Sequence, residues 1–157
     1  MTDKIIFLDF DGVLNFFNLD VFTPWSSDKD CLSKDLIQKI NNIISVTNAK
    51  VIVSSDWRHT RSVEELQNLL DSLGFIGTII DKTISDSDVN LSKKEKNILN
   101  SCRSDQILHS IDRHKINNFV IIDDNHPGGL DSNLVLTDCN TGINDQDVLK
   151  CIKILNL

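Results

Sequence analysis

The stretch IIFLDFDGV, residues 5–13, is the most informative part of this chain. Its first half is an apolar run without alternating polar positions, which is typical of a strand covered on both faces of a sheet. Asp9 and Asp11 come at the end of that run, and Gly12 then ends the strand. An apolar strand that feeds directly into carboxylates predicts a functional site at the carboxyl edge of the sheet.

Two further apolar runs end in polar residues. FVIIDDN, residues 119–125, ends in Asp123 and Asp124, and KVIVSS, residues 50–55, ends in Ser54 and Ser55. Only three of the 23 acidic residues are glutamate, so aspartate is abundant and a D-x-D pair alone is weak evidence. Carboxylates placed directly after buried strands are less expected by chance. Because grouped carboxylates repel one another, the pattern predicts that a cation accompanies them.

Helical periodicity alternates with the apolar runs. It predicts helices over 33–46, 61–73 and 104–114, with Leu108 on the buried face of the third, and a last helix capped by Asn144 that buries Leu149. The predicted strands are 4–10, 49–54, 75–80, 119–122 and 134–136, whereas 81–102 shows no clear pattern. We therefore expect one α/β domain over 1–157, a three-layer Rossmann-like fold with a central parallel sheet of about five strands and helices on both faces.

Composition excludes several other classes of protein. The chain has 157 residues, 40% of them apolar and 25% charged, which argues against disordered, coiled-coil and collagen-like chains. No apolar run is long enough for a transmembrane helix, and the amino terminus lacks the pattern of a secretory signal, so we expect a cytoplasmic protein. The net charge of −7 disfavours a general nucleic-acid-binding surface. Four widely spaced cysteines predict reduced thiols and no zinc site; they are Cys31, Cys102, Cys139 and Cys151.

The order of these motifs resembles the haloacid dehalogenase (HAD) superfamily of aspartate-dependent phosphatases. FLDFDGV at 7–13 resembles its first motif, KVIVSS at 50–55 its second and VIIDDN at 120–125 its fourth. A lysine or arginine is the third motif, and Arg103 stands where it is expected, with Lys93, Lys94 and Lys96 as competitors. SSDWR at 54–58, together with FLDFDGVLN, looks closest to capless HAD domains of RNA-repair proteins. A phosphorelay receiver domain has its acidic pair on the first strand, so the motif order argues against it.

The resemblance implies a Mg²⁺-dependent phosphomonoester hydrolase that forms an aspartyl-phosphate. Asp9 would be the nucleophile, and Asp11 would protonate the leaving oxygen and later activate water. Metal ligands would be Asp9, the main-chain carbonyl of Asp11 and Asp124, with Asp123 as a ligand or a support for one. Phosphate binding is assigned to Ser54, Ser55, Arg103 and the turn at Gly12. Arg58 could contact substrate, or it could equally be a solvated arginine at the start of a helix.

The remaining candidates carry weaker signals. The four histidines show no partner pattern and are read as surface or structural residues; they are His59, His109, His114 and His126. Four aromatic residues after the first motif could line a substrate cleft or pack in the core; they are Phe16, Phe17, Phe22 and Trp25.

The intervals between motifs leave no room for a large cap domain. An open site suits a phosphoprotein side chain or a nucleic-acid end, and a small nucleotide remains an alternative. A non-catalytic HAD-like interaction module and a dehalogenase are the other classes considered. The intact acid set disfavours the interaction module, and the acids typical of a metal site disfavour the dehalogenase.

Overall fold

The structure is a computed structural model that describes residues 3–16 and 31–157. Five strands form one parallel sheet in the order β3-β2-β1-β4-β5. The strands are β1 Lys4–Leu8, β2 Lys50–Val53, β3 Ile79–Lys82, β4 Asn118–Asp123 and β5 Leu134–Leu136. The apolar runs of β1 and β4 therefore become central strands, as predicted for strands covered on both faces.

Helices connect the strands and cover both faces of the sheet. They are α1 Lys34–Thr47, α2 Val63–Asp71, α3 Lys93–Leu99, α4 Arg103–His114 and α5 Asp145–Leu155, with short 3₁₀ turns at Asp56–His59 and Asp131–Asn133. Polar side chains begin most of the helices: Ser62, Ser92 and Asn144 each form a capping box with the residue three positions on. These caps satisfy amide groups that the first turn leaves without helical partners.

Two apolar layers hold the helices on the sheet. On one face Ile6, Leu8 and Val53 pack with the apolar stripes of α1, α2 and α5. On the other face Phe7 and Ile121 pack with α4 and its neighbours. Because every sheet residue of β1 from Ile5 to Leu8 is buried, the sheet is the middle of three layers, and the predicted three-layer Rossmann-like α/β fold is confirmed.

Several local predictions were wrong. The third strand is Ile79–Lys82 rather than 75–80, and the unassigned stretch 81–102 contains α3. Leu108 and Leu149 are 46% and 60% exposed, although both were expected in the core. Cys102, rather than Ser104, is the N-cap of α4.

The strand order places the carboxyl ends of the central strands β1 and β4 side by side. The chain passes from β1 outward to β2 and β3 and then returns to the opposite side of β1 to form β4. The carboxyl ends of β1 and β4 therefore flank the point where the direction of winding reverses, which is where ligands bind in open parallel sheets. Between Ser55 and Arg103, all of which the structure describes, the chain forms a 3₁₀ turn, α2, β3 and α3 and no inserted domain. Within residues 3–16 and 31–157 no helix is long and apolar enough to cross a membrane.

Candidate active site

Three carboxylates converge at the carboxyl ends of β1 and β4. Asp9 follows β1, its backbone N–H donates to the Ile122 carbonyl, and Asp123 is the last residue of β4. Oxygen atoms of Asp9, Asp123 and Asp124 all lie within 4.8 Å of one another. Asp9 is only 5% exposed, and Asp123 is fully buried, so both are held against the sheet and away from bulk water. We call these three residues the carboxylate cluster.

Arg103 joins two members of the carboxylate cluster from the first turn of α4. Its Nη1 donates to Asp9 Oδ2 at 3.0 Å and to Asp123 Oδ2 at 2.8 Å, and its Nη2 donates to Asp56 Oδ1 at 3.2 Å. The three competing lysines of the third motif all lie on α3. Of the four candidates for that motif, Arg103 is therefore the one whose side chain contacts Asp9, the residue expected to be the nucleophile.

Charge at the carboxylate cluster is only partly balanced. Burial is the main cause that raises the pKa of Asp9 to about 6; Asp123 raises it further, and Arg103 opposes the rise. Burial and the neighbouring Asp123 also raise the pKa of Asp124. Although burial lowers the pKa of Arg103, the carboxylates around it raise it overall. One guanidinium thus faces three carboxylates, which leaves a net demand for positive charge.

The donor set fits a hard divalent cation. Three carboxylates within 4.8 Å offer only oxygen ligands, the kind that Mg²⁺ prefers. Asp9 and Asp123 each already accept hydrogen bonds on both oxygens, Asp9 from the Phe10 backbone and Arg103, and Asp123 from Arg103 and the Asn125 backbone. Among the described hydrogen bonds Asp124 accepts on Oδ1 alone, from Asn125, so its Oδ2 is the most available ligand atom. Gly12 makes the approach possible: its φ is +72°, and a Cβ there would lie 2.3 Å from Asp124 Oδ2.

Asp11 lies apart from the carboxylate cluster, on the turn after β1. Asn15 Nδ2 donates to its Oδ1 at 2.8 Å, and Trp57 Nε1 donates to its Oδ2 at 2.9 Å. The Gly12 backbone N–H donates in turn to Asn15 Oδ1, so the turn is closed on itself. Among the described residues, the Asp11 side chain is not part of the carboxylate cluster, and its two oxygens accept hydrogen bonds from two neutral donors.

The two serines of the second motif differ in their placement. The Ser55 hydroxyl accepts a bond from the Trp57 backbone N–H and lies close enough to Asp9 to lower the pKa of that carboxyl, at the predicted phosphoryl site. The Ser54 hydroxyl is buried and has no hydrogen-bond partner within the part of the chain that the structure describes, although its backbone N–H donates to the Leu8 carbonyl. Ser55 thus lies nearer to the Asp9 carboxylate than Ser54 does in its contacts.

Arg58 is buried in the protein rather than exposed to solvent at the candidate site. It is 2% exposed, and its guanidinium donates to the carbonyls of Ile84 and Ser54 and to the side chains of Asp56 and Gln106. Each of its three guanidinium nitrogens thus donates to an acceptor within the protein. This geometry favours a supporting role over the direct substrate contact that the sequence allowed.

The remaining candidates do not join the carboxylate cluster. His59 pairs with Asp86, His114 with Asp81 and His126 with Asp131. Phe16 is 48% exposed, whereas Phe17, Phe22 and Trp25 lie outside the described residues. None of the four cysteines, all of which are described, forms a disulfide.

Sequence reasoning missed three supporting residues: Asp56, Trp57 and Asn15. Asp56 and Trp57 belong to the SSDWR stretch, and Asn15 to FLDFDGVLN, so both segments had been noticed. Their roles depend on contacts across the fold, such as the one between Trp57 and Asp11, 46 residues apart.

Comparison with known proteins agrees with this geometry. A family model described as "HAD domain in Swiss Army Knife RNA repair proteins" matches residues 5–148, which include every motif discussed above. Neither the curated proteins nor the solved structures that were compared with the chain include a match.

Proposed function

Because the chain belongs to the family of HAD domains found in Swiss Army Knife RNA repair proteins, we propose that it is a Mg²⁺-dependent phosphomonoester hydrolase acting through an aspartyl-phosphate. The observation that carries the proposal is the contact of Arg103 with Asp9 beside Asp124. A buried carboxylate, a guanidinium and an adjoining acidic pair are the groups that phosphoryl transfer to an aspartate requires.

The first step is transfer of the phosphoryl group to Asp9. An Asp9 oxygen forms a bond to phosphorus while the bond to the leaving oxygen breaks, and Asp11 gives that oxygen a proton. Arg103 and the Ser55 hydroxyl supply donors for the phosphoryl oxygens, where charge is concentrated during transfer. In the second step Asp11 takes a proton from water, the water oxygen bonds to phosphorus, and phosphate leaves Asp9.

Mg²⁺ would be held by Asp9 and Asp124, with Asp123 fixed behind them by Arg103 and the Asn125 amide. When bound, the ion supplies positive charge that offsets the substrate phosphate and the clustered carboxylates. The raised pKa of Asp9 and that of Asp124 support this assignment, because burial, and next to it the charge of Asp123, disfavour the ionised form of both carboxyl groups when no cation is bound.

As substrate we propose a phosphorylated RNA end. The family description refers to RNA repair proteins, and no domain is inserted between Ser55 and Arg103 that would enclose a small substrate. The acidic surface fits a protein that takes one strand end rather than coating a length of nucleic acid. A phosphoprotein side chain and a small nucleotide are the alternatives against which this substrate is to be measured.

The proposal is tested by phosphate release from four substrates with Mg²⁺ and with excess chelator. These are RNA oligonucleotides phosphorylated at the 3′ or the 5′ end, a phosphopeptide and an aryl phosphate. We expect Mg²⁺-dependent release from an RNA end and at least a ~1,000-fold loss in Asp9→Asn, because the nucleophile is gone.

The matched control is Asp3→Asn, which neutralises an exposed aspartate before β1, at the opposite edge of the sheet. It should retain wild-type rates. Turnover by Asp9→Asn at the wild-type rate would exclude the aspartyl-phosphate, and preference for the phosphopeptide would exclude the RNA substrate. An intact protein that neither turns over any of the four substrates nor binds Mg²⁺ would be an interaction module instead.

A further inference from the structure

Trp57 stands between the second motif and the proposed acid/base residue. It lies in the 3₁₀ turn Asp56–His59 that follows β2, and its indole N–H donates to Asp11 Oδ2 at 2.9 Å. Asn15 donates to the other oxygen of the same carboxylate. Asp11 is therefore held at both oxygens, once by its own turn and once by a residue from the neighbouring strand connection.

The indole itself is held firmly. The Phe10 ring meets it edge-on, with centroids 5.5 Å apart and an interplanar angle of 62°. The Arg61 guanidinium carbon lies 4.7 Å from its centroid. With these contacts the ring has little freedom to turn, so the direction of its single N–H donor is fixed by packing.

Such a fixed donor matters because of where Asp11 lies. Its side chain is outside the carboxylate cluster, and no charged group among the hydrogen bonds described for it fixes its position. Proton transfer needs the carboxyl group within hydrogen-bonding reach of the leaving oxygen, and a rotation of the side chain would lose that reach.

We propose that Trp57 is a positioning residue that orients the Asp11 carboxylate for proton transfer to the leaving group. This role rests on the proposed phosphatase function. It assigns to the SSDWR stretch a task different from phosphate binding: Ser55 faces Asp9, while Trp57, two residues later, faces Asp11.

The test variant is Trp57→Phe, which retains an aromatic ring near Phe10 and Arg61 and removes the N–H donor together with part of the indole. The measured quantity is kcat/KM for two esters with the same phosphoryl group, 4-nitrophenyl phosphate and benzyl phosphate. Nitrophenolate leaves without a proton, whereas an alkoxide requires one, so only benzyl phosphate depends strongly on the acid. We expect Trp57→Phe to lower kcat/KM about 10-fold for benzyl phosphate and less than about 3-fold for the nitrophenyl ester.

A double-mutant cycle with Asp11→Asn separates positioning from packing. If Trp57 acts through Asp11, adding Trp57→Phe to Asp11→Asn costs nothing further for benzyl phosphate. The indole N–H resonance reports the contact independently of activity. Asp11→Asn should move the Trp57 signal, which is identified by its loss in Trp57→Phe.

Equal losses for the two esters in Trp57→Phe, or unchanged rates for both, would overturn the positioning role. Full additivity with Asp11→Asn would do the same. Absence of wild-type turnover of either ester would instead overturn the proposed phosphatase function, and this role of Trp57 with it.

Discussion

Gly12 is the residue whose backbone conformation bears most directly on the proposed Mg²⁺ site. Its φ of +72° lies in the left-handed region, and a Cβ would come within 2.3 Å of Asp124 Oδ2. Gly12→Ala should therefore both strain the turn and displace Asp124. We expect a loss of about 1–2 kcal/mol in the free energy of unfolding and at least a ~10-fold weaker affinity for Mg²⁺, measured by thermal denaturation and calorimetry.

Gly74→Ala is the matched control for that substitution. Gly74 also has a positive φ, +91°, but nothing lies within 4 Å of the position of its Cβ. It should lose stability through backbone strain alone and bind Mg²⁺ like the wild type. Wild-type Mg²⁺ affinity in Gly12→Ala would show that Asp124 is not a ligand, or that the turn yields easily.

Arg58 contacts three parts of the fold. Its substitution can therefore distinguish a structural role from direct contact with the substrate. Its guanidinium joins the connection after β2, through the Ser54 carbonyl, to the connection after β3, through the Ile84 carbonyl, and to Gln106 on α4. Arg58→Met keeps the apolar stem but leaves these buried acceptors without donors. We expect unfolding free energy to fall by about 3 kcal/mol, measured by denaturant titration.

The control is Arg113→Met on α4, whose side chain is exposed and whose nearest carboxylate, Asp81, is 3.6 Å away. It should change stability by less than about 1 kcal/mol. A stable Arg58→Met variant with a raised KM would contradict the supporting role and restore Arg58 as a substrate ligand.

The same elements show what the sequence could and could not predict. The central strands β1 and β4 were readable because burial on both faces requires unbroken apolar runs. Edge strand β3 was misplaced because Phe75 is buried without belonging to a strand, while the strand itself ends in polar Asp81 and Lys82. Helix α3 buries no residue, so it has no apolar stripe, although its capping box, Ser92 with Glu95, was visible.

The candidate site likewise contains residues that the sequence predicted and contacts that it could not predict. Asp9, Asp11, Asp123 and Asp124 were predicted because they directly follow strands, and strand ends meet at one edge of a parallel sheet. The contact of Trp57 with Asp11 and the burial of Arg58 depend on how loops pack over that edge. Periodicity and spacing carry no signal for such contacts, because they join residues far apart in the chain.

For the whole molecule, we expect the carboxylate cluster to couple stability to pH and, through the proposed metal site, to Mg²⁺. The folded protein holds the Asp9 proton up to a pKa of about 6, whereas an unfolded chain releases it near the ordinary value of 3.8. The folded state thus binds more protons between these values, so without metal this group makes stability fall as pH rises through that window. Mg²⁺ binds the ionised carboxylates, and its stabilising effect should grow over the same range.

We therefore expect Mg²⁺ at ten times its Kd to raise Tm by about 3–5 °C at pH 7.5, corresponding to about 1.4 kcal/mol, and by much less at pH 5. The comparison is made at matched ionic strength, so that screening does not contribute.

In Asp124→Asn the Mg²⁺-dependent rise should disappear. Without Mg²⁺ that variant should melt above the wild type at pH 7.5, because position 124 then carries no charge for burial to disfavour or for Asp123 to repel. An equal Mg²⁺ effect at both pH values, or its persistence in Asp124→Asn, would place the metal elsewhere, since only binding at the carboxylate cluster competes with these protons.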